Sequence, residues 1–232
     1  MHLPQNKMIE LSDVSVVYDD HIALENVNLV VNEGDFVAIT GPNGGGKTTL
    51  LKVILQLIKP TSGSVKFRYG GEEVKNLNIG YLPQKNMIDS RFPITVEEVV
   101  ASGLLGGKGL FARFGEDDAR KVNATLELVG MTEKRKAAIG ELSGGQLQRA
   151  LLGRAVISEP KVLVLDEPLS YIDKRFEAHL YDIIADYAKH TTILLVSHEM
   201  TTISQMATHH IIVDRNLHDC KAAHHYMKTD CE

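Results

Sequence analysis

Short apolar runs alternate with longer stretches of helical spacing along most of this chain. MIELSDVSVVY (Met8–Tyr18), VNLVV (Val27–Val31), FVAIT (Phe36–Thr40) and SVKFRY (Ser64–Tyr69) read as strands. The first shows the partial alternation of a half-buried antiparallel strand. NIGYLP (Asn78–Pro83), KVLVLD (Lys161–Asp166), TILLVS (Thr192–Ser197) and HIIVD (His210–Asp214) follow. Several of these are continuous apolar runs, the pattern of parallel strands buried on both faces. Between the runs, helical spacing appears in KTTLLKVILQLI (Lys47–Ile58), TVEEVVASGLL (Thr95–Leu105), EDDARKVNATLELVG (Glu116–Gly130) and RFEAHLYDIIADYAK (Arg175–Lys189). In the last, Phe176, Leu180, Ile183, Ile184 and Tyr187 share one face. The order is mixed and antiparallel strands, then a mostly helical insert, then βαβ units. It predicts a single α/β domain over 1–232 with a mixed-sheet core and an antiparallel β lobe. A helical subdomain is expected at about 87–140 and a tail rich in His and Cys at about 215–232.

Composition fits this picture and excludes little. Hydrophobic residues are 44% and charged residues 24% of the 232, enough for a sizeable core. The formal net charge of -5 argues against a dedicated nucleic-acid binder. No apolar run approaches the ~20 residues of a membrane helix. MHLPQNKMIE at the N-terminus lacks the basic-then-apolar pattern of a secretion signal, so a cytoplasmic location is expected. In that setting Cys220 and Cys231 are not expected to form a structural disulfide.

GPNGGGKTT, between FVAIT and the first helical stretch, carries the strongest chemistry. Gly41, four intervening residues, then Gly46, Lys47 and Thr48 have the spacing of a phosphate-binding loop. With Pro42, Asn43 and Thr49 they make up the candidate nucleotide loop. Gly44, Gly45 and Gly46 allow successive backbone N–H groups to point into one concavity, and the helix start behind them adds partial positive charge. Lys47 can reach the β- and γ-phosphates and the Thr48 hydroxyl can bind Mg²⁺. Alone, this loop says only that a nucleotide phosphate binds.

A second motif, Leu142-Ser143-Gly144-Gly145-Gln146, precedes LQRALLGRAVIS. Ser143 stands where a helix N-cap belongs, and Gln146 completes a capping-box pattern. An ordinary helix start accounts for that much. Two glycines in a first turn weaken a helix, however. They make sense if backbone N–H groups there must approach an anion closely.

With these two motifs the chain resembles the ATP-binding cassette (ABC) ATPases, whose signature is LSGGQ; the resemblance runs to about Asp214. It implies the P-loop NTPase fold of ABC type, with ATP and Mg²⁺ as ligand and cofactor. It further implies a head-to-tail homodimer, with ATP held between the loop of one copy and Ser143, Gly144, Gly145 and Gln146 of the other. VLVLDEP (Val162–Pro168) ends in two acids. The resemblance gives Asp166 a role at Mg²⁺ and Glu167 that of general base, a task a carboxylate performs within hydrogen-bond reach of water. His198 resembles the switch histidine at the γ-phosphate. Gln84 resembles the Q-loop glutamine at Mg²⁺ or water, Tyr18 the aromatic that stacks on adenine, and Asp173 the dimer-loop aspartate. The pattern departs from the family's usual one at LSYID after Pro168, where Tyr171 and Ile172 are bulky, and at Glu199 after the switch histidine.

Hydrolysis needs something to drive, and two classes compete. One is the ATPase subunit of a membrane transporter, peripheral on the inner face of the cell membrane, with a separate permease and an extracytoplasmic substrate-binding protein. The other is a soluble ABC ATPase acting on DNA or ribosomes, whose members carry a long coiled coil or two cassettes. Here each motif occurs once, and no sustained heptads separate Lys47 from Ser143, which favours the transporter. RFPITVEEVVASGLLG (Arg91–Gly106) resembles the matching region of zinc- and manganese-type importers. Iron–siderophore, cobalamin-type and other small-substrate importers remain open alternatives. His209, His210, His218, His224 and His225, beside both cysteines, leave two further readings of the C-terminus: a soft-metal site, or an exposed polar tail.

Overall fold

In a computed structural model the described residues are 6–84, 93–107, 114–170, 172–197 and 203–220. They fall into two compact units, one of Met1–Leu77 with Tyr187–Glu232 and one of Asn78–Asp186.

The first unit opens with β1 (Lys7–Tyr18) and β2 (His21–Asn32), an antiparallel hairpin. Next come β3 (Phe36–Thr40), a loop, and α1 (Lys47–Ile54). β4 (Ser62–Tyr69) and β5 (Glu72–Val74) complete an antiparallel sheet of order β2-β1-β4-β5. β2 starts six residues before the Val27–Val31 run. Register shifts break the alternation along β1 and β2, and a period-two reading loses the strand there. α1 stops at Ile54 rather than Ile58, because Gln56 adopts a left-handed backbone (φ 56°) that no helix continues through.

The second unit holds β6 (Ile79–Leu82), α2 (Val96–Ser102), α3 (Glu116–Leu128), α4 (Gly144–Val156), β7 (Val162–Asp166) and α5 (Lys174–Tyr187). β6 and β7 pair in parallel, Leu82 opposite Leu165, so both strands deliver their C-terminal ends to one edge. β7 is buried throughout, as its unbroken apolar run requires. α2 starts with a full capping box between Thr95 and Glu98. Thr95 and Glu98 have the Thr-x-x-Glu spacing that marks the start of this helix.

The chain then returns to the first unit with β8 (Thr192–Val196), α6 (Ile203–Met206), β9 (His209–Asp214) and β10 (Asn216–Cys220). β3 lies between β8 and β9, parallel to both, and β10 pairs antiparallel with β9. Asn216–Cys220 is thus a strand, although its polar sequence shows no strand pattern. No described helix is long and apolar enough to cross a membrane.

One close approach fixes β6 against α4. A Cβ on Gly80 would lie 2.0 Å from the Ala155 carbonyl oxygen. We expect Gly80→Ala to destabilise the protein by about 1–3 kcal/mol through overpacking. A urea midpoint equal to that of the parent would refute this.

Candidate nucleotide-binding site

The loop after β3 owes its shape to backbone meeting backbone. A Cβ on Gly41 would stand 2.1 Å from the Val213 carbonyl oxygen, and one on Gly46 2.4 Å from that of Ala23. Gly41 and Gly46 also have positive φ, 136° and 101°. A Cβ on Gly44 would meet no atom within 4 Å. The glycines therefore serve two ends. Gly41 and Gly46 seat the loop on its own unit, while Gly44, itself at φ 79°, turns the chain and leaves the outer rim free of side chain. The sequence suggested only the second.

Gly46 is the N-cap of α1 and supplies no side-chain cap. Capping side chains normally satisfy one of the orphan N–H groups of a first turn. α1 leaves that turn to whatever anion approaches, the standard basis of phosphate binding at a helix start. Lys47 is only 7% exposed. Its Nζ donates to the Gly41 and Pro42 carbonyls, 2.8 Å each, which holds the ammonium over the loop. The Gly45 carbonyl accepts from Arg215 N–H at 2.8 Å, so the β9–β10 turn also clamps the loop. Thr48 and Thr49 are half-buried beside it. Tyr18 ends β1 opposite His21, and at 43% exposure its ring is open to a flat partner. His198 lies outside the described residues. Ser197 just before it is tied to β3 by donating its N–H to the Ile39 carbonyl at 3.3 Å.

In the second unit, Gln84 follows β6 and Asp166 and Glu167 end β7, and the parallel pairing brings them to one edge. Gln84 Nε2 donates to Glu167 Oε2 at 3.0 Å. The Ser170 hydroxyl approaches the same oxygen at 3.4 Å. Glu167 has φ 52°, an uncommon backbone for a non-glycine residue. Such strain costs on the order of 1–3 kcal/mol and clusters at functional positions. Asp166 is buried. Burial, and secondarily the charge of Asp166, pushes the Tyr81 hydroxyl up to about 12, so this phenol stays protonated.

The signature forms the start of α4. The Ser143 hydroxyl accepts from Gln146 N–H at 3.3 Å, and Gln146 Oε1 accepts from Ser143 N–H at 3.0 Å. The capping box legible in the sequence is made in full. It occupies the N–H groups of Ser143 and Gln146, so those of Gly144 and Gly145 are the ones offered to an anion. Asp173 begins α5, accepting from Phe176 N–H at 3.0 Å and Arg175 N–H at 3.1 Å. The Phe176 N–H, then Arg149, hold its carboxyl below the usual carboxylate range. Arg149 carried no signal in the sequence beyond standing one helical turn past LSGGQ. Among the described residues no group of three His, Cys, Asp or Glu is arranged to hold a metal. His224, His225 and Cys231 lie outside them, and the soft-metal reading of the C-terminus gains nothing from the residues within.

A phosphate loop on an uncapped helix, and a capped Ser-Gly-Gly helix start elsewhere in the chain, define a nucleotide-phosphate-binding α/β protein. The pattern described as ABC transporter matches residues 24–170, and the chain belongs to that family. It is 39% identical to the zinc uptake system ATP-binding protein ZurA of Listeria innocua, over 96% of this chain and 88% of that protein. It is 38% identical to the zinc import ATP-binding protein ZnuC of Pasteurella multocida, over 96% and 79%. Among solved structures, the ATP-binding cassette MJ0796, dimeric and bound to ADP and Pi, matches with TM-score 0.79 at 26% identity. That match covers 90% of this chain and 96% of the other.

Two outcomes follow for stability. Ser143→Ala should cost about 1 kcal/mol through loss of the cap, read as a lowered denaturation midpoint. Asp173 has a depressed carboxyl, so its contribution is complete above the ordinary carboxylate range and lost as the pH falls below it. The gap between parent and Asp173→Asn should therefore hold from neutral pH down to the ordinary carboxylate range and narrow as the pH falls below it. A gap independent of pH would sink the assignment.

Proposed function

We propose that the chain is the ATP-hydrolysing subunit of a membrane importer for zinc or a related divalent metal ion. The reading rests most on likeness across nearly the whole chain to proteins named for zinc uptake. The Arg91–Gly106 sequence, similar to that of zinc- and manganese-type importers, points the same way. The partners are a second copy of the chain in a head-to-tail dimer, a separate permease and an extracytoplasmic substrate-binding protein. The subunit sits on the cytoplasmic face of the membrane through the permease.

In this reading the N–H groups behind Gly44–Gly46 and the Lys47 ammonium neutralise the β- and γ-phosphates of ATP, and Tyr18 carries the adenine ring. The donors for Mg²⁺ are the Thr48 hydroxyl, the Asp166 carboxylate and the Gln84 side-chain carbonyl, the hard oxygens that ion prefers. Each suits it by donor type, and Gln84 bonds Glu167 through Nε2 and keeps Oε1 for another partner. When bound, the ion supplies charge neutralisation at the phosphates. Glu167 orients the attacking water and takes its proton as the water oxygen bonds to the γ-phosphorus and the bond to the β-phosphate oxygen breaks. Gln84 fixes the rotamer of that carboxylate, and His198 contacts the γ-phosphate. Gly144 and Gly145 donate to the ATP held by the partner copy. Binding closes the dimer, hydrolysis reopens it, and the helical subdomain passes the motion to the permease.

Glu167→Gln should bind ATP and dimerise yet lose about 10²–10⁴-fold in turnover; near-parent turnover would disprove the base assignment. Lys47→Ala should lose nucleotide affinity in equilibrium binding. Cells carrying Lys47→Ala should also lose high-affinity zinc-65 uptake. Unchanged uptake of that isotope, with loss of another substrate instead, would redirect the reading to a different importer.

A further inference from the structure

Two successive residues of α4 reach the segment that runs from Glu167 to the start of α5. Gln148 is 1% exposed. Its Nε2 donates to the Pro168 carbonyl in a long contact of 3.5 Å, and its Oε1 has no hydrogen-bond partner among the described residues. A buried amide satisfied so poorly costs stability relative to an apolar residue of the same shape, and such a group calls for another explanation. Arg149, next in the chain, donates from Nη2 to Asp173 Oδ2 at 2.6 Å. Its guanidinium lies 4.0 Å over the centre of the Phe176 ring. The segment between is thus held near both ends by one turn of one helix. Pro168 follows Glu167 directly, and Asp173 caps α5.

That same helix begins at Ser143 with the capping box, only one turn before Gln148. An α-helix is stiff over this length, so a displacement of its first turn is delivered to Pro168 and Asp173 together. We propose that Gln148 and Arg149 are positioning residues that couple the signature turn to the Glu167 segment, making engagement of the signature a condition for placing the base. The inference rests on the dimer reading above. There, the signature of one copy meets the ATP of the other, while Glu167 serves the ATP bound to its own copy. The pair would therefore link the two ATP sites of the dimer through a single chain. A plain staple between α4 and α5 predicts something different: a loss of stability with the kinetics of the folded fraction unchanged.

Steady-state ATP hydrolysis by the full-length chain separates the two. For two coupled sites the Hill coefficient of the parent should approach about 2, the number of sites. Arg149→Met and Gln148→Leu, each checked for folding by circular dichroism, should lower kcat about tenfold, as expected when a catalytic group is misplaced. Each should bring the Hill coefficient to about 1, with half-saturating ATP changed less than about twofold. The double variant should be no slower than the worse single, because both act on one connection. Arg149→Lys keeps the charge but loses the planar fork, and should fall between parent and Arg149→Met. It also serves if Arg149→Met does not fold. An unchanged Hill coefficient in the single variants, or multiplicative losses in the double, would overturn the proposal. A parent chain that hydrolyses no ATP would overturn the reading on which it rests, and the proposal with it. A parent that hydrolyses ATP without cooperativity would overturn the proposal alone.

Discussion

The phosphate loop depends on backbone packed on backbone. The Val213 carbonyl presses on Gly41, the Ala23 carbonyl presses on Gly46, and the Arg215 N–H holds the Gly45 carbonyl. None of these contacts has room for a side chain on the loop. A rigid loop is what lets the first turn of α1 stand uncapped, because the neighbouring strands hold it in place of a capping side chain. Without that support, an uncapped helix start beside a buried lysine would be a site of fraying. The positive charge can stay concentrated because β2, β9 and the β9–β10 turn bear the mechanical load.

The same principle governs the second unit around α4. Gly80 lets β6 lie against the Ala155 carbonyl, and Gly103 brings the end of α2 to that of Arg154, 2.1 Å from a notional Cβ. Both helices and the strand meet there without intervening side chains. The Ser143 turn thus stands on a helix closely packed at its far end.

Much of this was legible in the sequence because chemistry and local geometry coincide there. Phe36–Thr40 is recovered to the residue, since an apolar run before a glycine loop has no other use. The capping box at Ser143 and Gln146 is a local rule, and the chain obeys it. β5 and β10 were not legible. Glu72–Val74 and Asn216–Cys220 are polar, and only pairing with β4 and β9 makes them strands. Tertiary pairing of this kind leaves no trace in periodicity. The partner of Arg149 was hidden for the same reason: Asp173 is 24 residues away, and no spacing rule joins a helix face to a distant cap. The glycines were half understood. Their count pointed to an anion, but which of them face the ligand and which face the fold could only be seen in three dimensions.

The two helix starts differ in a way that assigns them different work. α4 satisfies its own first turn through Ser143 and Gln146 and is complete without an anion. α1 has no such side-chain cap, so an anion has more to offer its first turn. A group that binds the native state and not the unfolded chain stabilises the fold by linkage. That stabilisation is therefore concentrated at α1, whereas α4 adds direction and selectivity with little folding energy to gain. If the cassette closes and reopens as proposed above, this division suits it: the uncapped start of α1 has most to gain from the anion, and the capped start of α4 adds a smaller increment.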